Sequence, residues 1–361
     1  MNEASRTEGR EQLDIAVIGC GALTELFYAP ALSGLSSIHK LNVTALIDPD
    51  PERLDAIGTW FPNARRSRAL GNDLAADLAI VASPPAFHAE QTVALLRRGI
   101  HVLCEKPMAR SLAECDAMLA AASESGRLLA VGHFKRFFPS VQHIKGLIQT
   151  EALGAPLSFS FAEGGKFGWP ARSRSFFERR SGGVLADIGV HALDLALFWF
   201  GRPRSLACED DAMGGVEANA RVALSYADGL HGEIIVSRDW ESRNRFFFRF
   251  ERGWLGWDPI DANGFELGWY DGYALAARTH EATRDRIQPA TGAAAITRHQ
   301  AFMNQIVNMC DAIRGKAQLA VDGPEGREVM VLLETCHTES RSMDMPWMSP
   351  AERAAAQALR C

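Results

Sequence analysis

The stretch Leu13–Ile18 runs without a break into Gly19-Cys20-Gly21-Ala22-Leu23-Thr24 and then into an apolar helical segment. A buried strand entering a glycine turn and leaving as a helix is the opening of a βα unit. Gly19 permits the tight turn, and Gly21 lets the backbone approach a pyrophosphate, whose charge then meets the helix N-terminus. The helix starts at Ala22 and is expected to break at Pro30. Further short apolar runs follow at 41–47, 78–82, 101–104 and 128–131. Between them lie helical stretches, at 89–98 before Gly99 and from Ser111 to Gly126, where Ser111 and Glu114 have capping-box spacing. This alternation predicts an α/β fold built on a doubly wound parallel sheet.

The third glycine of the turn is replaced by Thr24, so the fingerprint is incomplete, and an ordinary strand-to-helix turn is the alternative reading. Asp48 closes the second strand, where a carboxylate accepts from a ribose 2′-hydroxyl, or else caps the loop before Pro49. No Arg adjoins it to welcome a 2′-phosphate, which predicts NAD over NADP as cofactor. Candidate cofactor contacts are Gly19, Gly21, Ala22, Leu23 and Asp48, with Ser83, Pro84, His88, Glu105 and Lys106 at the ends of later strands. His88 either approaches the cofactor or packs a helix N-terminus.

The pattern changes near residue 135. Alternating, half-buried runs at 156–162, 218–226, 231–237, 246–250 and 264–270 predict a mainly antiparallel sheet, with Asp228-Gly229 as a hairpin turn. The stretch 273–297 has no clear period and reads as an irregular insertion. Helices are expected at 298–314 and 324–341, and Ser349-Pro350-Ala351-Glu352 opens a terminal one. A chain of 361 residues is long for one domain. The expected division is a dinucleotide domain over 1–135, a substrate and oligomerisation domain over 136–345, and a helical tail over 346–361.

Several classes of function are excluded. A net charge of −6 does not suggest a nucleic-acid partner. The apolar run 195–200 is far too short to span a membrane. No apolar stretch follows the polar residues 1–12, so no secretory signal is expected. The seven cysteines are scattered with no C-x-x-C, which argues against a zinc knuckle or disulfide framework and for a reducing, cytoplasmic setting. No metal is expected.

Redox chemistry at a nicotinamide needs a group that moves a proton as hydride moves. Four residues beyond the four tyrosines stand Leu32, Leu230, Ala274 and Ala277, so Tyr-x-x-x-Lys is absent; so are His-Glu-x-x-His and Gly-x-Ser-x-Gly. Lysine is rare, and one of six, Lys106, directly follows a strand of the parallel sheet in Glu105-Lys106-Pro107. The carboxyl ends of such strands are where ligands bind; a solvated lysine is the alternative. In 181–194, Asp187, His191 and Asp194 share one helical face. Two acids and an imidazole on one stripe make a poor core pattern, although a structural Asp–His pair accounts for it equally well.

These residues carry a resemblance. The run from Leu78 through Ser83-Pro84-Pro85 and His88 to Glu105-Lys106-Pro107 is similar to the glucose–fructose oxidoreductase / inositol dehydrogenase / MocA family. So are Val131-Gly132 with Arg136-Phe137 and Pro139, and Gly182-Gly183-Val184-Leu185-Ala186-Asp187-Ile188-Gly189-Val190-His191. The resemblance spans about residues 13–342 and implies a Rossmann domain followed by an α+β domain with a large open sheet that forms a homodimer or homotetramer interface. It implies NAD(P)-dependent oxidation or reduction of a sugar, cyclitol or related hydroxyl or keto compound. Lys106 and His191 would be the catalytic pair and Asp187 an orienting or substrate-binding acid. Arg136, Lys166, Trp169 and Arg174 join Asp187 and His191 as candidate substrate contacts, although a solvated basic loop accounts for Lys166, Trp169 and Arg174 at least as well. A redox-neutral NAD-dependent glycosidase and a non-catalytic dinucleotide or sugar sensor are the competing readings.

Overall fold

Parallel strands buried on both faces need almost continuous apolar runs, and the N-terminal half supplies them. β1 (Leu13–Ile18), β2 (Leu41–Ile47), β4 (Leu78–Val81), β5 (His101–Cys104) and β6 (Leu129–Val131) join a short edge strand, β3 (Arg65–Ser67), in one parallel sheet. The order is β3-β2-β1-β4-β5-β6, which reverses between β1 and β4 and so opens a ligand crevice at the carboxyl end of β1. α1 (Ala29–Leu35), α2 (Pro51–Gly58), α3 (His88–Arg97) and α4 (Leu112–Ser125) connect the strands. The computed structural model describes residues 12–170, 175–178, 182–239, 244–272, 274–278, 293–344 and 348–359.

The helix after the glycine turn does not break at Pro30. Residues Thr24–Tyr28 form a π turn, with the Ala29 N–H donating to Thr24 O, and Pro30 falls in the first turn of α1. The widened ladder re-aims the carbonyls that a proline would otherwise meet in a regular helix. α4 is capped by Ser111, which accepts from Glu114 N, and closed by Gly126 at φ +63°. Its capping box is half-made, because the Glu114 carboxylate accepts from Arg110 N at 2.9 Å.

His101 on β5 is buried, and its Nδ1 accepts from Leu128 N at 3.0 Å. Burial, with the Arg127 guanidinium nearby, lowers its pKa from 6.5 to about 4. The unfolded chain therefore binds this proton at a higher pH than the folded one. The stability involved is complete above pH 6.5 and is lost as pH falls toward 4, a difference of roughly 3 kcal/mol. His101→Gln is expected to flatten the fall in Tm over that window; an unchanged acid limb would show that His101 does not contribute.

The second half is a different layer. α5 (Pro139–Gln149) precedes β7 (Pro156–Gly164), and α6 (Val190–Phe200) precedes β8 (Ser205–Asp210), β9 (Asn219–Ser225), β10 (His231–Ser237), β11 (Arg245–Phe250), β12 (Gly253–Trp257), β13 (Gly264–Trp269) and β14 (Ala274–Arg278). After α7 (Ala293–Ile313) and α8 (Gly323–Glu339) come β15 (Arg341–Ser342) and α9 (Pro350–Ala358). The nine-stranded sheet has the order β14-β13-β12-β11-β7-β10-β9-β8-β15 and is mixed, because β7 pairs parallel with β10 and β15 with β8. Inward-facing Phe159, Phe161, Val222, Ile234, Phe246 and Phe248 alternate with less buried residues that are mostly polar or small but include Ile235 and Phe247. Trp199 of α6 packs edge-on against Phe161, Phe246 and Trp257. The β9–β10 hairpin turns at Asp228-Gly229, with Gly229 at φ +91°. The capping box at Ser349 and Glu352 is complete.

Two compact units emerge among the described residues, and their bounds depart from the expected division. The first falls within Met1–Phe137, Pro170–Ser173 and Arg284–Met330, the second within Phe138–Trp169, Arg174–Thr283 and Val331–Cys361. The described part of this later stretch, 293–330, joins the first unit because α7 buries Phe302, Ile306, Met309, Cys310 and Ile313 in the same core as β1 and α1. The 273–297 stretch is likewise not irregular at its ends, which form β14 and the start of α7; Tyr273 and 279–292 lie outside the described residues. No described helix is long and apolar enough to cross a membrane.

Candidate active site

Gly19 turns the chain at φ +92°, and a Cβ added there would lie 2.5 Å from Ser83 N, so the turn rests directly on the backbone after β4. A Cβ at Gly21 would meet only Arg53 Nη1, at 3.8 Å, leaving open space of the kind a pyrophosphate fills. Ala22 and Leu23 start the helix beyond it. Thr24, in place of the third glycine, is buried and its Oγ1 donates to Gly19 O at 2.5 Å, tying the turn shut. The residues present therefore fit a dinucleotide. Gly19→Ala would combine a left-handed φ with a backbone clash and is expected to destabilise by about 1–3 kcal/mol. The loss of NADH binding should exceed tenfold, measured by nicotinamide fluorescence; unaltered binding would detach the turn from the cofactor.

Asp48 is 4% exposed, and each carboxylate oxygen is already engaged: Oδ2 accepts from Cys20 N at 2.8 Å, and Oδ1 from Asp50 N at 2.9 Å. It braces the glycine turn. Burial, with Asp48 beside it, pushes the Cys20 thiol up to about 12. Ser83 Oγ donates to Gln91 Oε1 at 2.6 Å, and Pro84 precedes a short 3-10 turn leading into α3.

Two expected cofactor contacts are buried and bonded to the protein's own groups. His88 is fully buried, its Nδ1 2.9 Å from Pro107 O and its Nε2 2.8 Å from Ser83 O. It ties the Ser83 loop to the Lys106-Pro107 turn, whose peptide is cis, and desolvation lowers its pKa. Glu105 is buried too. Its Oε1 accepts from Tyr28 Oη at 2.6 Å and its Oε2 from Lys106 N at 3.1 Å, while Gln305 Nε2 donates to Tyr28 Oη at 3.0 Å. Burial raises the Glu105 pKa. Gly132 is needed beside it, because a Cβ there would sit 2.8 Å from the carboxyl. Lys106, two residues after β5 and half-buried, thus leaves the sheet from an anchored residue. Arg136, expected at the substrate, is buried and donates to Glu325 Oε1 at 2.8 Å and Ala320 O at 3.4 Å.

In the second unit, Leu185–Gly189 forms a π turn that leads directly into α6. It carries Asp187, with His191 in the first turn of α6 and the buried Asp194 beyond. The segment is held from two sides. Glu217 O accepts from Val184 N at 3.0 Å, and its Oε1 accepts from Leu185 N at 2.9 Å. Gly183, at φ +87°, leaves no room for a Cβ against that carboxylate. Arg238 is the other anchor, with a side chain only 6% exposed. It donates to Gly183 O at 2.6 Å, Phe176 O at 3.0 Å and Asp187 Oδ2 at 3.3 Å, and stacks over the Phe167 ring. Asp187 itself remains 24% exposed. Lys166 is exposed and Trp169 half-buried; Arg174 lies outside the described residues. Among the described residues no group of three or more His, Cys, Asp or Glu is arranged to hold a metal.

Tyr28, Gln305, Glu217 and Arg238 are absent from the candidates read in the sequence. Each acts across a long separation, so only Arg238 left a trace, as a charge closing the apolar alternation of β10.

A doubly wound sheet with an open glycine turn, in a chain that also carries a large mixed sheet, defines a protein with a dinucleotide-binding Rossmann fold. Residues 13–133 match the oxidoreductase family with an NAD-binding Rossmann fold, and residues 141–256 match the GFO/IDH/MocA C-terminal domain. The chain belongs to the GFO/IDH/MocA family. It is 29% identical over 232 residues to scyllo-inositol 2-dehydrogenase (NADP(+)) of Bacillus subtilis, covering 62% of this chain and 69% of that one. It is 30% identical over 234 residues to D-apiose dehydrogenase of Paraburkholderia graminis, covering 62% of this chain and 60% of that one. The aldose-aldose oxidoreductase of Caulobacter crescentus shares the fold, with a TM-score of 0.74 at 23% identity over 90% of this chain and 96% of that one.

Proposed function

We propose that this protein is an NAD(P)-dependent dehydrogenase or reductase acting on a hydroxyl or keto group of a sugar or cyclitol. The observation that carries the reading is the placing of Lys106 two residues after β5, at the carboxyl end of the sheet whose β1 ends in the open glycine turn. The names of the relatives, an inositol and an apiose dehydrogenase, support the substrate class. A bound nicotinamide supplies the hydride acceptor or donor. His191 removes the proton of the substrate hydroxyl as a general base, and returns it in the reverse direction. Lys106 donates to the reacting oxygen and stabilises the charge that develops there. Asp187, fixed by Arg238, accepts from a neighbouring substrate hydroxyl. The outward face of the nine-stranded sheet, around Ser158, Ser160, Ala223 and Phe247, serves as a homo-oligomer contact.

Incubation with NAD⁺ or NADP⁺ and a panel of sugars and cyclitols, followed by absorbance of reduced nicotinamide, tests the reading. Net reduction with at least one substrate is expected. Glycoside cleavage without net reduction would replace it with a redox-neutral glycosidase, and tight dinucleotide binding without turnover would replace it with a sensor.

A further inference from the structure

The loop after β2 departs from what its acid alone suggests. In a doubly wound fold the adenosine ribose sits at the carboxyl end of this strand, where a free carboxylate selects NAD and a nearby arginine accommodates the 2′-phosphate of NADP. Asp48 stands at that position, but both its oxygens are turned inward onto the N–H groups of Cys20 and Asp50. Two guanidinium groups flank the same loop from outside. Arg53 of α2 approaches Asp50 Oδ2 through Nε at 3.4 Å, and its Nη1 reaches to 3.8 Å from where a Cβ of Gly21 would stand. Arg68, exposed, donates through Nε to Pro49 O at 3.1 Å. In both residues the contact uses Nε, and among the described residues neither Nη pair makes a hydrogen bond.

We propose that this site takes NADP(H) no less tightly than NAD(H), with the forks of Arg53 and Arg68 holding the 2′-phosphate. The inference rests on the dinucleotide reading of the glycine turn. A planar guanidinium with both Nη groups uncommitted matches a phosphate geometrically and electrostatically. The loop's own acids do not oppose this strongly, because main-chain N–H groups hold both. Asp48 binds those of Cys20 and Asp50, and Asp50 Oδ1 accepts from Glu52 N at 3.0 Å as the N-cap of α2. The absence of an arginine adjacent in sequence to Asp48 is thus a poor guide, since Arg53 comes one helical turn later and Arg68 from the end of β3.

The test is equilibrium binding, which needs no substrate. NADPH and NADH are titrated against the full chain by nicotinamide fluorescence, and NADP⁺ and NAD⁺ by calorimetry. The Kd for NADP(H) is expected to equal or fall below that for NAD(H). Arg68→Ala should raise it about tenfold or more, as loss of a charge-assisted contact does, with NADH moving less than about threefold; Arg53→Ala, whose Nη1 also borders the Gly21 turn, should raise the Kd for NADP(H) by more than that for NADH. Both side chains are solvent-accessible, and thermal unfolding of the variants confirms that they fold. Tighter binding of NADH by the unsubstituted chain, or equal weakening of both cofactors in the variants, overturns the inference while leaving the dinucleotide reading intact. Binding of neither by folded protein overturns both.

Discussion

His191→Ala is expected to lower kcat by roughly 10²-fold or more on whichever sugar or cyclitol the panel identifies, about 2.7 kcal/mol of transition-state stabilisation. The Kd for the dinucleotide should stay unchanged, because the glycine turn and Lys106 belong to the other unit. The effect should fall on kcat more than on KM, since a general base acts as the proton leaves rather than in ground-state binding. His191 is buried, so truncation also opens a small void. His191→Asn keeps most of the volume and a hydrogen-bonding head but cannot take a proton at neutral pH, and should be nearly as slow as the alanine variant. In the unsubstituted protein the pH profile of kcat should show a limb from the imidazole, and that limb should vanish in both variants. Turnover within a few-fold of the unsubstituted rate in His191→Asn would remove His191 from the proton transfer.

Much of the framework is legible in the sequence, and what escapes has physical causes. The bounds of β1, β2, β5 and β10 can be read to the residue, because each is a dense apolar or alternating run closed by a glycine or a charged residue. β3 is Arg-Arg-Ser, an edge strand with nothing apolar to mark it, and β12 carries two glycines in five residues; both form because a neighbouring strand offers hydrogen bonds. The assignment of α7 to the first unit is equally invisible locally, since a helical period says which face is apolar but not which core receives it. At the site, the spacing of Asp187 and His191 and the strand-end position of Lys106 are local and readable. The inward turn of the Asp48 carboxylate, the burial of Glu105 against Tyr28 and the engagement of Arg136 by Glu325 are tertiary facts. In each case the bond is to a group far away in sequence or to a main-chain N–H, which residue type and position do not reveal.

Arg238→Met is expected to cost about 3 kcal/mol of stability, the lower end of what breaking a buried ion pair costs, because Asp187 keeps about a quarter of its side chain in water. Methionine fills similar space but donates nothing. Asp187 then loses its contact with the guanidinium, and the carbonyls of Gly183 and Phe176 lose these donors in a place with little solvent. For a unit of this size the expected fall in Tm is roughly 6–12 °C. The components separate by combination. Arg238→Met with Asp187→Asn also removes the carboxylate charge that faced the guanidinium and should regain part of the loss, whereas the two carbonyls still lack the guanidinium donor. Arg238→Lys retains a charge but replaces a planar fork by a point donor, so it should restore pairing with Asp187 without holding both carbonyls. Turnover should follow a different order from Tm, because Asp187→Asn in that background keeps the fold while losing the oriented carboxylate. If Arg238→Met unfolds no earlier than the unsubstituted chain, the guanidinium is not what holds the Leu185–Gly189 turn, and that anchoring falls to the Glu217 carboxylate and carbonyl instead.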